Sequence, residues 1–211
     1  IQFSADEITY NPEIAQDFTG QLDFELTAAQ KKAAHTILED LAKPRPMNRL
    51  LEGDVGSGKT LVALMASVMA AKNGFQTAIM VPTEILARQH FQNSRKLLDS
   101  LGIASCLLIS DMKKPEKDEA HKAISDGTAQ VVIGTHALIS KAVEFKNLGL
   151  VVVDEQHRFG VNQRKELKSK AGKMPHLLTM TANKGKTACW EFQFINKTTN
   201  QPSQPTESFC K

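Results

Sequence analysis

The stretch Gly53-Asp54-Val55-Gly56-Ser57-Gly58-Lys59-Thr60 has the form G-x-x-x-x-G-K-T of a phosphate-binding loop. Its glycines allow backbone N–H groups to wrap around phosphate oxygens at turns where a Cβ would clash. Lys59 supplies a point charge for the β- and γ-phosphates, and the Thr60 hydroxyl is placed to bind Mg²⁺. The apolar pair at 50–51 predicts a strand before the loop, and segment 61–72 predicts a helix whose positive N-terminus faces the phosphates. This context disfavours a chance match at a surface turn.

An acidic motif lies further along the chain. The apolar run 150–153 predicts a buried strand, and Asp154 and Glu155 follow it directly. We expect Asp154 to hold Mg²⁺ through its water shell and Glu155 to orient or deprotonate an attacking water. The two motifs together predict a site for a nucleoside triphosphate.

Strands and helices alternate along most of the sequence. Thr27 predicts the N-cap of a first helix that ends before Pro44 and Pro46. Nearly continuous apolar runs are typical of parallel strands covered on both faces, and the alternation predicts an α/β domain with a mainly parallel sheet. The predicted strands are 49–51, 77–81, 105–109, 130–133, 150–153 and 176–180, and the later helices are 59–72, about 84–101, about 116–125 and about 162–170.

The amino-acid composition says less about the class of protein than the motifs do. The chain has 211 residues, 41% of them hydrophobic and 23% charged, with a net charge of +3, as in an ordinary globular protein. No stretch approaches the ~18 apolar residues of a membrane span, so we expect no membrane partner. The three cysteines lack metal-ligand spacing, which favours a reduced, cytoplasmic setting. The absence of an initial Met suggests a piece of a longer protein.

Three segments of different character are predicted. Residues 1–23 mix polar and apolar residues and suggest a linker or the remnant of an upstream region. Residues 24–182 carry the alternating pattern of one domain. Residues 183–211 are rich in Asn, Thr, Gln and Ser and show no helix or strand periodicity, so we expect a disordered tail.

Four further motifs lie at the ends of predicted strands or directly after the acidic pair. Together with the phosphate loop and the acidic pair, they occur in the same order as the motifs of superfamily 2 helicases, which they resemble. In their amino-acid sequences the motifs are similar to those of the RecG family. This family comprises bacterial ATP-dependent DNA helicases that remodel stalled forks and branched DNA. The resemblance covers about residues 22–182. The transcription-repair coupling factor is also similar, but usually carries phenylalanine in place of Ser57 and glutamate in place of Gln156. The motifs are Pro82-Thr83-Glu84-Ile85-Leu86-Ala87-Arg88-Gln89-His90, Gly134-Thr135-His136-Ala137-Leu138, Gln156-His157-Arg158-Phe159-Gly160-Val161 and Thr179-Met180-Thr181-Ala182.

The resemblance implies the first RecA-like motor domain of such a helicase, using ATP and Mg²⁺. Gln30 matches an adenine-reading glutamine, with Phe24 stacking nearby, although a surface helix glutamine is the alternative. His157 and Thr181 match a pair that senses the γ-phosphate and transmits its loss to the DNA side; a buried, hydrogen-bonded histidine is the alternative for His157. Four residues match contacts to the nucleic-acid backbone, with helix capping and turn formation as the structural alternative: Thr83, Arg88, Thr135 and His136. The remaining histidines, at 35, 90, 121 and 176, are expected to be structural.

The match to the family stops after Ala182. The family continues with Thr-Pro-Ile-Pro-Arg, whereas this chain continues with Asn183-Lys184-Gly185-Lys186. We therefore expect a truncated or frame-shifted reading frame that lacks the second RecA-like domain, with its arginine finger, and the wedge domain. A non-catalytic ATP-binding fragment and a DEAD-box RNA helicase remain as alternatives. Glu155-Gln156-His157 disfavours the second, because that family has Glu-Ala-Asp there.

Overall fold

The computed structural model describes residues 4–140, 142–154, 173–182, 189–194 and 207–210. Six strands form a parallel sheet, and two more extend it. The helices are α1 (Pro12–Gly20), α2 (Ala28–Leu41), α3 (Lys59–Lys72), α4 (Glu84–Ser100) and α5 (Lys114–Ser125), with a 3₁₀ turn at His136–Ile139. The strands are β1 (Asn48–Gly53), β2 (Gln76–Met80), β3 (Ser105–Leu108), β4 (Val131–Gly134), β5 (Leu148–Asp154), β6 (His176–Ala182), β7 (Cys189–Phe194) and β8 (Glu207–Cys210).

The sheet order is β3-β4-β2-β5-β6-β1-β7-β8. Strands β3, β4, β2, β5, β6 and β1 run parallel, and β7 pairs antiparallel with β1 and with β8. The predicted α/β class with a mainly parallel sheet and a RecA-like topology is therefore confirmed. Parallel order brings the carboxyl ends of six strands to one edge, where ligands bind in open α/β sheets.

Alternate residues of the central strands are buried on opposite faces. In β5, Leu150 and Val152 belong to one apolar cluster, whereas Val151 and Val153 belong to another. The first cluster packs α1, α2, α3 and the end of α4 on one face, and the second packs α5 and the 3₁₀ turn on the other. Burial on both faces explains why these strands are apolar without alternation.

Local signals explain the helix boundaries. Thr27 and Gln30 form a reciprocal capping box at the start of α2, as the predicted N-cap requires. The hydroxyl of Thr83 accepts a hydrogen bond from the Leu86 N–H and begins α4. Helix α3 is buried over ten consecutive residues, from Val62 to Ala71, which is the pattern of a helix covered on all sides.

The described part of residues 1–23, the predicted linker or remnant of an upstream region, packs onto the domain. Asn11 caps α1, and Phe18 of that helix is completely buried in the main core, as is Ile8. The Asn73 side chain accepts a hydrogen bond from the Thr9 N–H and donates one to the Thr9 carbonyl. Burial of large apolar side chains makes this segment part of the packed unit.

Two segments of the predicted disordered tail, β7 and β8, are strands. The other residues of the segment that was expected to be disordered lie outside the described part of the chain. The helix predicted at about 162–170 also lies outside it. Within the described ranges, no helix combines the length and apolar character needed to cross a bilayer.

Candidate nucleotide-binding site

The phosphate loop connects the carboxyl end of β1 to the first turn of α3. Gly56 and Gly58 have φ angles of +78° and +87°, in the left-handed region that glycine adopts without steric cost. The Ser57 N–H donates to the Asp54 carbonyl oxygen at 3.2 Å and closes a turn, which leaves Val55 at the tip, 87% exposed. The loop thus has the backbone that the glycine spacing predicts.

Lys59 points its ammonium group back into this loop. Its Nζ donates to the carbonyl oxygens of Gly53 and Asp54, each at 2.7 Å. Burial lowers the pKa of Lys59, while the charges of Asp154 and Asp54 act in the opposite direction. A cation held inside the loop by exchangeable carbonyl contacts fits a phosphate-binding role, because phosphate oxygens can replace those carbonyls.

Asp154 ends β5 at the same edge of the sheet. Strand β6 lies between β5 and β1, with Asp154 opposite Met180 and Gly53 opposite Ala182. Thr181 therefore lies at the strand end between the acidic residue and the phosphate loop. Thr60, half-buried in the first turn of α3, offers a hydroxyl, and Asp154 offers carboxylate oxygens. Oxygen donors of these types fit Mg²⁺.

Gln30 contacts the phosphate loop directly. Its Nε2 donates to the Ser57 carbonyl oxygen at 2.8 Å, and its Oε1 accepts from the Thr27 N–H at 2.9 Å. Phe24 is 59% exposed and lines an open cleft of about 530 Å³ whose walls come from α1, α2 and the segment between them. Gln30 therefore lies against the phosphate loop, whereas Phe24 lines the cleft beside α1.

The four predicted DNA contacts follow two neighbouring strands. Strand β2 pairs with β4, and the Val81 N–H donates to the Gly134 carbonyl beyond the end of β2. Thr83 and Arg88 begin α4 after β2, and Thr135 and His136 begin the 3₁₀ turn after β4; of these, Thr83, Arg88 and His136 are exposed. The structure thus places both pairs on one edge. The Arg88 guanidinium donates to the Asp111 carbonyl oxygen at 3.0 Å.

His90 was expected to be structural, but it lies at the site. Its Nε2 is 3.4 Å from Oδ2 of Asp154. Sequence spacing within α4 gave no sign of this contact, because it depends on β2 and β5 being neighbours. Glu155 and His157 lie outside the described residues, so their predicted roles stay predictions.

The combination of phosphate loop, acidic strand end and parallel sheet matches a known family. The DEAD/DEAH box helicase family matches residues 27–189. The chain belongs to the DEAD/DEAH box helicase family. The match begins at the cap of α2 and includes the described phosphate loop and Asp154.

Curated relatives narrow the resemblance to RecG. The chain is 52% identical over 163 residues to the ATP-dependent DNA helicase RecG of Aquifex aeolicus, covering 77% of this chain and 21% of the relative. It is 48% identical over 174 residues to RecG of a Synechocystis species, covering 82% and 21%. The chain therefore spans about a fifth of the length of these relatives.

A solved structure of RecG bound to a three-way DNA junction has the same fold. It superposes with a TM-score of 0.72 at 45% sequence identity, over 84% of this chain and 24% of that one. The predicted similarity to RecG is thus confirmed in both sequence and fold.

Proposed function

We propose that this chain is the ATP-binding motor domain of a RecG-type DNA helicase. In this role, residues 24–182 bind ATP and Mg²⁺ and hydrolyse ATP to drive the remodelling of branched or forked DNA in repair and recombination. The observation that supports the proposal most strongly is the convergence of Lys59 and Asp154 at one edge of the sheet. The identity with RecG helicases supports the choice of DNA over RNA. A DNA substrate in a bacterium also implies a cytoplasmic location.

The residues around the loop have separate tasks in this proposal. The glycine-containing backbone and Lys59 receive the phosphates, and the Thr60 hydroxyl and the Asp154 carboxylate hold the metal ion. Bound Mg²⁺ withdraws charge from the phosphate oxygens that it contacts. Glu155, adjacent to Asp154 in sequence, orients or deprotonates the attacking water, and His157 and Thr181 pass the loss of the γ-phosphate to the DNA side.

The DNA side of the proposal uses the neighbouring strand ends. Thr83, Arg88, Thr135 and His136 would contact the phosphate backbone, since hydroxyl, guanidinium and imidazole groups are common phosphate donors. These residues follow β2 and β4, and β2 also pairs with β5, the strand that carries Asp154. The candidate DNA contacts therefore lie on the same sheet edge as the acidic residue of the nucleotide site, which supports the assignment. A backbone-directed contact carries no sequence preference of its own.

Rapid turnover requires groups beyond the described site. In related nucleotide hydrolases an arginine finger contributes ~10³-fold or more to the rate. We propose that a second RecA-like domain supplies this group, so that the 211-residue chain binds ATP but hydrolyses it slowly. A non-catalytic fragment would instead bind ATP without any hydrolysis.

Binding and turnover of ATP by the purified chain test the proposal. Fluorescent ATP is titrated with Mg²⁺, and phosphate release is measured with a three-way DNA junction, a linear DNA duplex or an RNA duplex. We expect Mg²⁺-dependent binding, slow release and the largest stimulation by the junction. The Glu155→Gln variant should bind ATP as the parent does and lose the residual hydrolysis. No Mg²⁺-dependent binding would refute the motor assignment, and stimulation by RNA alone would refute the DNA assignment.

A further inference from the structure

His90 and Asp154 form a close contact at the edge of the candidate site. The imidazole Nε2 lies 3.4 Å from Asp154 Oδ2, and the two side chains are only 15% and 22% exposed. This separation exceeds the usual N–H···O range of about 2.7–3.2 Å. Catalytic hydrogen bonds are often long before a ligand binds and shorten in the complex. The partial burial strengthens such a contact relative to one in water.

The backbone at His90 is fixed by its neighbours on α4. Ala87 is completely buried against Val81 and Ile109. The Ser94 hydroxyl donates to the His90 carbonyl oxygen at 2.6 Å. The imidazole is therefore held on a packed helix rather than on a loop, which suits a group that must orient another side chain.

The contact uses Oδ2 of Asp154 and does not involve Oδ1. Asp154 is the last residue of β5, so its carboxylate is attached to a strand end and needs side-chain contacts to fix its orientation. Residues that hold a metal-binding carboxylate by hydrogen bonds commonly change metal affinity about 10- to 100-fold when they are removed.

We propose that His90 is a positioning residue that donates a hydrogen bond from Nε2–H to Oδ2 of Asp154 and so orients this carboxylate toward Mg²⁺. The inference rests on the proposed function, because it requires Asp154 to hold the metal ion of bound nucleotide. It also gives α4 a second task. Thr83 caps the same helix and Arg88 lies on it, so the contact joins the candidate DNA side to the metal-binding carboxylate.

Metal-dependent nucleotide affinity distinguishes positioning from a merely structural contact. Fluorescent ADP is titrated into the 211-residue chain over a series of Mg²⁺ concentrations and in EDTA, for the parent, His90→Ala and His90→Gln. The control variant is His121→Ala, which removes a half-buried histidine from α5. Thermal melting of each variant establishes that it is folded at the assay temperature.

We expect His90→Ala to weaken ADP binding with Mg²⁺ about 10-fold and to leave binding in EDTA unchanged. His90→Gln should recover most of the loss, because its amide also offers an N–H at the ε position. If His90→Ala is unfolded, His90→Leu replaces it with the same expectation.

Three results separate the possible failures. Parent-like Mg²⁺ dependence in His90→Ala would overturn the role of His90 and leave the proposed function intact. An equal loss with Mg²⁺ and in EDTA would show that His90 only supports the fold and would also overturn the inference. Absence of Mg²⁺-dependent binding in the parent would instead refute the proposed function itself.

Discussion

Gln30 donates a hydrogen bond from its side-chain Nε2 to the carbonyl oxygen of Ser57, 2.8 Å away, and thereby joins helix α2 to the phosphate loop. The same carboxamide accepts a hydrogen bond from the Thr27 N–H, so one side chain caps a helix and supports the loop. An amide has two N–H donors and two acceptor lone pairs. These two contacts use one donor and one lone pair, so the loop contact is compatible with the predicted base-reading role.

Replacing Gln30 by Ala should separate these two roles. Loss of the contact to Ser57 should weaken binding of ATP and GTP alike by about 1 kcal/mol, the usual net value of one hydrogen bond. If Gln30 also reads adenine, ATP affinity should fall further than GTP affinity. Parallel titrations of both nucleotides measure this difference. An equal loss would contradict adenine recognition, and unchanged GTP binding would contradict the loop role.

Gly58→Ala should damage the loop for two independent reasons. A left-handed φ of +87° costs a non-glycine residue about 1–2 kcal/mol, and an added Cβ would lie 2.5 Å from Nε2 of Gln30. We expect lower ATP affinity and a lower melting temperature. Gly102→Ala is the matched control, because Gly102 has a φ of +69° and open space around its Cβ position.

The contact with Gln30 can be tested by combining substitutions. The Gly58→Ala, Gln30→Ala double variant lacks the clash. Its melting temperature should therefore fall by less than the sum of the decreases in the two single variants. Simple additivity would show that the backbone conformation alone accounts for the cost at Gly58.

Elements specified by local sequence were predictable. The observed α3 has the predicted bounds of 59–72, and each predicted strand overlaps an observed one. Apolar runs of strand length, glycines at tight turns and capping residues act within a few neighbours, so a linear pattern reports them. The same reasoning placed Lys59 at the start of α3 and Asp154 at the end of β5, where both are observed.

Features that depend on distant contacts were not predictable from the pattern. Ile8 and Phe18 are isolated apolar residues in a polar segment, and only the packed structure shows that the main core buries them. Strand β7 pairs with β1, which is the last strand on one side of the parallel sheet. The sequence pattern alone does not show that β1 has this position, because it does not give the strand order. His90 reaches Asp154 for the same reason, since β2 and β5 are neighbours in the sheet but distant in sequence.

Lys59→Ala should remove most nucleotide binding. A hydrogen bond to a charged group contributes about 1.5–3 kcal/mol, and the ammonium also faces the phosphates as a point charge. We expect at least a 10-fold loss of ATP affinity by fluorescence titration, corresponding to ~1.4 kcal/mol. Lys72→Ala is a suitable control, because Lys72 lies at the far end of the same helix and donates to the Leu101 carbonyl. Similar losses in both variants would argue against a specific role for Lys59.

His176 connects the N-terminal segment to the sheet through both ring nitrogens. Its Nδ1 accepts a hydrogen bond from the Met47 N–H at 3.0 Å, and its Nε2 lies 2.7 Å from the Asp6 carbonyl oxygen. This arrangement requires a neutral ring with the proton on Nε2, because a proton on Nδ1 would face the Met47 N–H. Burial lowers the pKa of His176, partly offset by the Asp6 carbonyl and by the charges of Asp6 and Asp40.

His176 should therefore make the fold less stable in mild acid. Because its pKa is lower in the folded chain than in the unfolded chain, folding disfavours proton uptake, and stability is lost as the pH falls below about 6.5 and through the depressed pKa. His176→Asn keeps an acceptor at the δ position but cannot be protonated. Its melting temperature should be lower than that of the parent at pH 7.5, yet fall less steeply between pH 7.5 and 5. His121→Asn should keep the parental slope, and an unchanged slope in His176→Asn would show that other groups control the acid sensitivity.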